Sequence, residues 1–543
     1  MTASMDPGGR DPLAALRDPA TIRMRCAAVT RAVDNGLSGW FTIDRSQLPV
    51  VAREVAALTR ERFPDLKIPY HSRWRHFEAG GVDRKGELDA LLAGRSAAEV
   101  ARARIDLTVV SVLLDAGAGA RWRYTESRGV GALALPVHRQ KGEDLLAMLI
   151  TAGGKPATAP TAASPVTPED RSASPLDAPG ATRPGEAEPA VTPASAPITT
   201  SVASAAHSAA TMTAARASHA YTRSEGLGVA SFRAFVAGVF SDDPADPLRV
   251  DAMALKRLDA AALASAFQVS AANPLVGVEG RAVLLVRLGE VLQSIAAQRG
   301  GEARPGRLFD DLMATGAGTS PGDVATEHPV DGASPASTPG GPGRTISAAA
   351  VLRELVTAYA PIWVSGSSVL GLPAGDVWSH LWAGDACGPA GTRPDPAGGP
   401  TRDPATAGWV PFHKLSQWMT YSLLEPLQWS GVEVTGLDAL TGLPEYRNGG
   451  LLLDHGVIVP RARGDLGRTW KPSDEFVVEW RALTVTLLDE LAVLVRAELG
   501  VDAAALPLAC VLEGGTWTAG RRVAQTLREG APPFRIDSDG TVF

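Results

Sequence analysis

Three polar side chains of different chemistry stand together in the last quarter of the chain, at Glu445, Tyr446 and Arg447. Gly442 and Pro444 interrupt any helix ahead of them, so the sequence predicts that Glu445 starts a new element. The dipole of a helix keeps a carboxylate at its N-terminus ionised. An ionised carboxylate can stabilise positive charge that develops in a reaction, and it can orient or deprotonate water. These residues are therefore candidates for catalysis or for binding a polar ligand.

A structural interpretation of the same stretch stays open. In that interpretation Glu445 is an acid in the first turn of a helix that Gly456 closes, and Arg447 is a solvated neighbour. If the catalytic interpretation is right, the charge of Glu445 affects turnover. If the structural interpretation is right, it affects only the stability of the fold.

A lysine precedes an aromatic side chain on a second predicted helix. Lys414 and Trp418 fall on one face of the stretch KLSQWMTYSLLEPL, and Pro411 suits the first turn of that helix. Only seven of the 52 basic residues are lysines, so this chain uses arginine where any cation will do. We therefore predict that Lys414 contacts a ligand, with His413 beside it. A lysine that extends from the helix edge into solvent is the alternative.

Basic and aromatic residues alternate in the stretch HSRWRHF at 71–77. Alternation predicts a strand, with His71, Arg73 and Arg75 on one face. A face with these basic side chains could bind a phosphate. It could equally be the solvated side of an edge strand.

Helical spacing of apolar residues dominates the remainder of the chain. It is seen in AAEVARARIDLTVVSVLL, in the stretch after Ser224, which is a predicted N-cap, and in VVEWRALTVTLLDELAVLVRAELG. The stretch VLEGGTWTAGRRVAQTL predicts a strand, a Gly-Gly turn and a helix from about Thr516, and FRIDSDGTVF predicts a C-terminal hairpin. Asp106 and Asp115 are predicted on opposite sides of a helix, which excludes a catalytic carboxylate pair. The predicted fold class is mainly α with minor β elements.

Three segments are too poor in large apolar residues to form a core, and the sequence predicts that they are disordered insertions. The predicted organisation of the 543 residues is a catalytic domain divided by these insertions. Its parts are an N-terminal part at 1–128, an insertion at 129–221, a helical part at 222–314, an insertion at 315–345, a helical part at 346–383, an insertion at 384–407, and a C-terminal part with the proposed active site at 408–543.

The net charge and the composition argue against several kinds of binding partner. A net charge of −7 gives no basic surface for nucleic acid. Cys26, Cys387 and Cys510 are too widely spaced for a disulfide framework or a zinc site, and no metal-ligand cluster or cofactor motif is present. No apolar run is long enough for a membrane span or a signal peptide, so we expect a cytoplasmic protein without a membrane partner. The sequence does not predict an oligomeric state.

Several long blocks resemble one family. LTGLPEYRNGGLLLDHGV, DLTVVSVLLDAGAGARWRYTES, RSEGLGVASFRAF and VLEGGTWTAGR are similar to the uracil catabolism protein 4 family, also called domain of unknown function 1688. The resemblance covers nearly all of the chain outside the insertions. It implies a place in a pathway that converts uracil through a nucleotide and a ring-opened ribosylurea compound, with release of urea. It also makes Arg223 and Glu225 candidate pocket residues.

A shorter resemblance suggests a mechanism. FHKLSQW followed by LTGLPEYRNGG is similar to the lysine block and the Asp-Tyr-Arg block of the queuosine salvage family, which are nucleotide N-glycosidases on a helical scaffold related to DNA glycosylases. The similarity implies that Lys414 matches the family lysine, that Glu445 replaces the catalytic aspartate, and that Tyr446 and Arg447 match directly. The chain departs in having Glu for Asp and Asn-Gly-Gly where the family has a proline-glutamine pair.

Together these observations predict a metal-independent N-glycosidase that cleaves the ribose–urea bond of a ribosylurea phosphate or a related ring-opened nucleotide. In that reaction Trp418 would stack on the planar leaving group, and Arg447 or Lys414 would hold the phosphate. A non-catalytic binding or scaffold subunit of the same pathway is the alternative. An amidohydrolase acting on the urea moiety is a third possibility, weakened by the lack of metal ligands and of a Ser or Cys nucleophile motif.

Overall fold

The computed structural model describes residues 11–115, 117–119, 121–127, 218–314, 344–363, 366–384 and 404–537. Residues up to Glu126 and from His219 onward form one compact unit. A second unit, Ser127–Ser218, lies almost entirely outside the described residues. The three segments that the sequence predicts as insertions also lie outside them, except at their edges.

The predicted mainly helical class is confirmed for the described residues. The helices, numbered in chain order, are α1 Ala14–Arg17, α2 Pro19–Asp34, α3 Leu48–Arg62, α4 Arg73–Phe77, α5 Arg84–Leu91, α6 Ala97–Leu113, α7 Arg223–Val236, α8 Ala252–Arg257, α9 Ala260–Ala266, α10 Val278–Arg299, α11 Arg307–Ala314, α12 Ala348–Tyr359, α13 Lys414–Trp429, α14 Tyr446–Asp454, α15 Glu475–Leu499, α16 Leu508–Val511 and α17 Trp517–Arg528. In the part of the chain that the structure describes, no helix is long and apolar enough to cross a membrane.

The strands are short, and within the described ranges they pair only two by two. Antiparallel pairs join β1 Phe41–Ile43 to β10 Ile458–Pro460, β5 Ser367–Val369 to β6 Leu372–Gly375, and β7 Val377–Ser379 to β8 Trp409–Pro411. Parallel pairs join β4 Arg344–Ser347 to β9 Val432–Thr435, and β11 Thr469–Trp470 to β12 Arg535–Ile536. β2 Arg123–Ser127 pairs with β3 Ser218–Thr222.

The long helix α15 lies at the centre of the main core. Its first four turns are buried on nearly all sides, as expected for an internal helix. It packs against α2, α3 and α14. Because α14 carries Glu445 at its start, this central packing sets the position of the candidate site.

The stretch at 71–77 forms a helix, so the predicted strand is wrong. α4 spans Arg73–Phe77. Trp74 and Phe77, three residues apart, are both fully buried, and their rings pack edge to face. Helical spacing puts these two large rings on one face against the core, whereas a strand would separate them. His71, Arg73 and Arg75 therefore do not share a single face.

The stretch around Gly514 and Gly515 is helical as well, and here too the predicted strand and turn are wrong. α16 runs into a π-helical turn at Leu512–Thr516 and then into α17. A β-carbon at Gly515 would lie 2.6 Å from a methyl group of Val55 on α3. The glycines therefore permit close packing of helices instead of forming a turn.

Three predicted boundaries differ from the structure. α7 begins at Arg223 with Thr222 as its N-cap, so Ser224 is not the cap. Pro411 ends β8, and α13 begins three residues later. At the C-terminus Arg535–Ile536 pairs in parallel with Thr469–Trp470, while the Asp-Gly turn of the predicted hairpin lies outside the described residues.

Candidate functional site

Glu445 is the N-cap residue of α14, which confirms the predicted start of a helix there. Its two carboxylate oxygens accept the backbone N–H groups of Arg447 and Asn448, each at 2.8 Å. The helix ends at Asp454, and Gly456 follows with a left-handed φ of 71°. The carboxylate is thus fixed at the positive end of the helix dipole.

Arg447 lies in a group of charged side chains from three helices. Burial lowers the pKa of Arg447; Glu445 and Glu225 oppose this shift, while Arg223 and Arg521 add to it. Arg521 pairs with Glu225 at 2.5 Å. Arg223 and Arg447 have no carboxylate within ion-pair distance among the described residues. We call Arg223, Arg447 and Arg521 the arginine cluster; it has more positive than negative charge close by.

The backbone at Arg223 is strained. Its φ is 52°, in the left-handed region that residues with a side chain rarely adopt. Such a conformation persists only where surrounding structure imposes it, and it is common at ligand sites. The strain coincides with the first residue of α7, where the guanidinium joins the arginine cluster.

Lys414 is the first residue of α13, and a buried carboxylate fixes its backbone. The Lys414 N–H donates to Asp376 at 3.0 Å. Asp376 also accepts two hydrogen bonds from Arg481 and one from Trp378, all at 2.7 Å. The ammonium group of half-buried Lys414 makes no ion pair with the described residues. The ammonium group of Lys414 is therefore available to bind an anionic or polar ligand, while the backbone of Lys414 is held in place by Asp376.

Asp115 lies beside Lys414. Its carboxylate is 3.0 Å from the Arg73 guanidinium. Burial opposes its ionisation, but the positive charges of Arg73 and Lys414 favour the ionised form, and the pKa of Asp115 stays below its usual value. In the sequence Asp115 stands out only as a possible partner of Asp106, so it is not among the predicted site residues. An acid just after the C-terminus of α6, where the helix dipole disfavours it, is the feature that could have revealed it.

Arg73 and His76 form the wall next to Asp115. Arg73 is fully buried and donates to Ser111 at 2.6 Å, to the Ser224 carbonyl at 3.1 Å and to Nδ1 of His76 at 3.1 Å. Since arginine can only donate, Nδ1 of His76 accepts and Nε2 carries the proton. Burial, together with the charge of Arg73, lowers the pKa of His76 to about 4. His76 is therefore a neutral donor at physiological pH.

Trp418 completes this wall. Its ring centroid lies 5.6 Å from the Arg73 guanidinium carbon and 5.8 Å from the His76 ring. The side chain is only 4% exposed, and its indole N–H has no acceptor among the described residues. Arg73 and His76 therefore lie close to the Trp418 ring. The indole N–H is the group of Trp418 that can still form a hydrogen bond. We call Arg73, His76, Asp115 and Trp418 the Arg73 wall.

Glu225 connects the arginine cluster to the Arg73 wall. Burial lowers the pKa of Arg73, of His76 and of Arg447, and the charge of Glu225 opposes that lowering in all three. Five of the sequence-predicted residues therefore belong to one connected neighbourhood with Glu445 and Lys414; they are Arg73, Arg223, Glu225, Trp418 and Arg447.

The other sequence-predicted residues have partners in the scaffold. His413 has a φ of 45°, and its Nε2 donates to the Leu16 carbonyl at 2.8 Å. Burial raises the pKa of Tyr446 to about 12, and its ring packs against Trp480. Arg75 pairs with Glu425 at 2.7 Å. These three contacts stabilise the elements around the site.

His71 lies at the border of the neighbourhood. Its Nδ1 is 2.9 Å from Glu513, which also binds Arg62 at 2.8 Å. The His71 ring lies 5.8 Å from Trp517, whose ring is in turn 5.5 Å from the Arg521 guanidinium carbon. Glu513 was missed because its stretch was predicted as a strand. Trp517 lies in the helix predicted from about Thr516, but its contacts with His71 and Arg521 form only in the folded chain.

Two surface grooves elsewhere differ from this site. One, of about 380 Å³, lies between α9 and α10 and is largely apolar. The other, of about 310 Å³, contains Arg102 and Arg304, but both have carboxylate partners. Arg287 of the first groove donates to the Trp363 carbonyl at 3.3 Å, and Arg299 and Arg307 of the second groove pair with Asp311. Within the described ranges, no three His, Cys, Asp or Glu side chains are grouped so as to hold a metal ion.

Comparison with known proteins places this architecture in a family context. A family model described as "Protein of unknown function (DUF1688)" matches residues 15–144 and 202–543. Protein urg3 of Schizosaccharomyces pombe is 31% identical over 530 residues, which cover 96% of each chain. Uracil catabolism protein 4 of Lachancea kluyveri is 31% identical over 537 residues, which cover 94% of this chain and 93% of the yeast protein.

Proposed function

This chain belongs to the DUF1688 family, and we propose that it acts in uracil catabolism as an N-glycosidase that cleaves the ribose–urea bond of a ribosylurea phosphate. A relative matched along nearly the whole chain is named uracil catabolism protein 4, which supports a role in that process. The similarity of the Lys414 and Glu445 blocks to queuosine salvage proteins supports the reaction type, and with it a helical scaffold related to DNA glycosylases.

The arginine cluster is the observation that carries this proposal. Arg223 and Arg447 are uncommitted cations beside Arg521 and next to the N-cap carboxylate of Glu445. Guanidinium groups bind phosphate with strong charge-assisted hydrogen bonds. A phosphate bound there would relieve the repulsion among the three arginines, and it would bring the attached ribose to Glu445.

Glu445 then faces the positive charge that develops on the sugar. The C1′–N bond breaks in an oxocarbenium-like state, which a fixed, ionised carboxylate stabilises more than it stabilises the neutral ground state. The same carboxylate can orient the attacking water. The ammonium group of Lys414 is available to bind ribose hydroxyls or a phosphate oxygen.

A second candidate function is a non-catalytic binding subunit that delivers a pathway intermediate. One observation favours it: both oxygens of Glu445 already accept N–H groups of their own helix. In this alternative the arginine cluster still binds a phosphorylated ligand, but no bond is broken.

A direct assay separates the two candidates. Purified protein is incubated with ribosylurea 5′-phosphate, and urea and ribose 5-phosphate are measured. We expect equal amounts of both products. Tight binding of the intact compound without urea release would support the binding subunit and reject the N-glycosidase.

A further inference from the structure

The Arg73 wall contains three buried polar atoms without hydrogen-bond partners among the described residues. They are Nη2 of Arg73, Nε1 of Trp418 and Oδ1 of Asp115. Oδ1 of Asp115 lies 3.0 Å from Nη1 of Arg73, but without hydrogen-bond geometry. Buried polar atoms in native proteins are nearly always hydrogen-bonded, because leaving them unpaired costs free energy. A cluster of three in one wall therefore indicates a ligand that supplies the missing partners.

The pattern of the three atoms restricts that ligand. Two donors, on Arg73 and Trp418, need a carbonyl-type acceptor, and the carboxylate of Asp115 needs an N–H donor. An amide or ureide offers both groups on one planar unit. A carboxylate ligand would face the charge of Asp115, and an ammonium ligand would face Arg73.

The charge of the wall also fits a neutral ligand. Arg73 and Asp115 cancel each other, and His76 is neutral because Arg73 donates to it and burial disfavours its protonated form. The arginine cluster, by contrast, has uncompensated positive charge. The two neighbourhoods therefore suit the two ends of one molecule, with an anionic group at the cluster and a neutral planar group at the wall.

We propose that Arg73, Trp418 and Asp115 form a subsite for the neutral ureido group of the substrate. Arg73 and Trp418 donate to its carbonyl oxygen, and Asp115 accepts one of its N–H groups. This inference rests on the proposed function, since it assigns the leaving-group end of the same substrate. It also replaces the expected stacking on the Trp418 ring with donation from the indole N–H.

The subsite has a defined part in the reaction. When the C1′–N bond breaks, its electron pair goes to the urea nitrogen and is delocalised onto the carbonyl oxygen, where Arg73 and Trp418 stabilise it. Water adds its oxygen to C1′ and supplies a proton to the departing nitrogen. One ribosylurea phosphate and one water thus give one ribose phosphate and one urea.

The test compares two ligands in one variant. Trp418→Phe keeps an aromatic ring but removes the donor. We expect the affinity for ribosylurea 5′-phosphate, measured by calorimetry, to fall roughly three- to tenfold, as for the loss of one buried hydrogen bond. The affinity for ribose 5-phosphate, which lacks the ureido group, should stay unchanged.

Trp74→Phe is the matched control, because the Trp74 N–H already donates to the Ser422 carbonyl at 3.1 Å. It should lower stability and leave both affinities unchanged. An equal loss for both ligands in Trp418→Phe, or no loss for either, would overturn the subsite. So would a wild-type protein that binds ribosylurea 5′-phosphate no more tightly than ribose 5-phosphate.

Binding and turnover fail independently. If the wild type binds ribosylurea 5′-phosphate with the expected dependence on Trp418 but releases no urea, the N-glycosidase proposal fails and the ureido subsite stands. If urea is released and Trp418→Phe binds normally, the subsite fails and the N-glycosidase proposal stands.

Discussion

Arg481 and Asp376 form a buried, bidentate ion pair, with both N–O distances at 2.7 Å. The Arg481 side chain is fully buried, and Asp376 is 7% exposed. Asp376 also receives the N–H of Lys414, while Nε of Arg481 donates to the carbonyl of Pro444 at 3.3 Å. One ion pair therefore links the start of the Lys414 helix to the residue before Glu445.

Breaking this pair should destabilise the protein strongly. Asp376→Asn leaves the Arg481 charge buried and uncompensated, which typically costs about 3–5 kcal/mol. We expect a loss of that size in the free energy of unfolding measured by chemical denaturation. Asp34→Asn removes one partner of the exposed Arg45–Asp34 pair and is the control, with an expected loss below about 1 kcal/mol. Similar losses in both variants would contradict the role given to Asp376.

Removing the charge of Glu445 should affect turnover more than folding. Glu445→Gln keeps the size of the side chain, but it removes a preorganised charge, and loss of such a contact typically lowers kcat by about 10²–10³-fold. Substrate affinity should change little, since the ground-state sugar carries no positive charge. The loss of stability should stay near 1 kcal/mol, the usual scale for a helix-start acid.

The control for Glu445→Gln is Asp259→Asn, which alters an exposed N-cap on α9. It should reproduce the small loss of stability with normal turnover. If Glu445→Gln keeps the wild-type kcat, the proposed mechanism is wrong and Glu445 serves only as a helix cap.

The arginine cluster predicts that the substrate is phosphorylated. Arg447→Gln removes one charge-assisted contact, and we expect KM for ribosylurea 5′-phosphate to rise about ten- to hundredfold. Unphosphorylated ribosylurea should be a poor substrate for both proteins, with no further loss in the variant. Arg522→Gln, next to Arg521 but paired with Glu61 on the surface, should leave KM unchanged. Equal processing of the phosphorylated and unphosphorylated compounds would show that the cluster binds something else.

His76 predicts a loss of stability in mild acid. Its pKa is about 4 in the folded protein, where it is buried and faces Arg73, Asp115, Glu225 and His71, and is ordinarily 6.5. Between these values the unfolded chain binds more protons, so the unfolding free energy falls as pH drops from 6.5 toward 4, by a total on the order of 3 kcal/mol. His76→Gln lacks this term. Its stability relative to wild type should therefore improve as pH falls, and parallel pH profiles would refute the buried neutral state.

The segment at 151–216 should be dispensable for folding. It lies outside the described residues, and its Ala, Pro, Ser and Thr content predicts that it forms no core. The strands on either side, Arg123–Ser127 and Ser218–Thr222, pair with each other. Deleting 151–216 should therefore leave the melting temperature and the activity nearly unchanged. A large drop in melting temperature would show that the segment is packed.

Sequence patterns predicted the helices better than the contacts between them. The helical stripes and the start of α14 at Glu445 follow from periodicity and from breaking residues, which are local properties. The strand expected at 71–77 failed because a five-residue helix is too short to show its period, so alternation dominated. The strand and turn expected near Gly514 failed because the glycines serve packing against Val55, which is distant in sequence.

The residues that make up the candidate site could be predicted only in part, for the same reason. Glu445, Arg447 and Lys414 stand next to recognisable breaks in the sequence. Asp115 and Asp376 gain their roles from Arg73 and Arg481, which approach only in the folded chain. The neutral state of His76 depends on burial and on one neighbouring cation, and no spacing rule reports either.

The crossing of α14 and α17 has a consequence for recognition. A β-carbon at Gly520 would collide with the Arg447 carbonyl oxygen, so the two backbones are in direct contact there. The freedom of the Arg447 main chain is thus lost when the protein folds and not when a ligand arrives. When a phosphate binds to this guanidinium, little more than the Arg447 side chain loses conformational freedom. This low entropy cost favours tight binding of a small ligand. Gly520→Ala would push the two helices apart, so that part of the Arg447 main chain would become ordered only when the ligand binds.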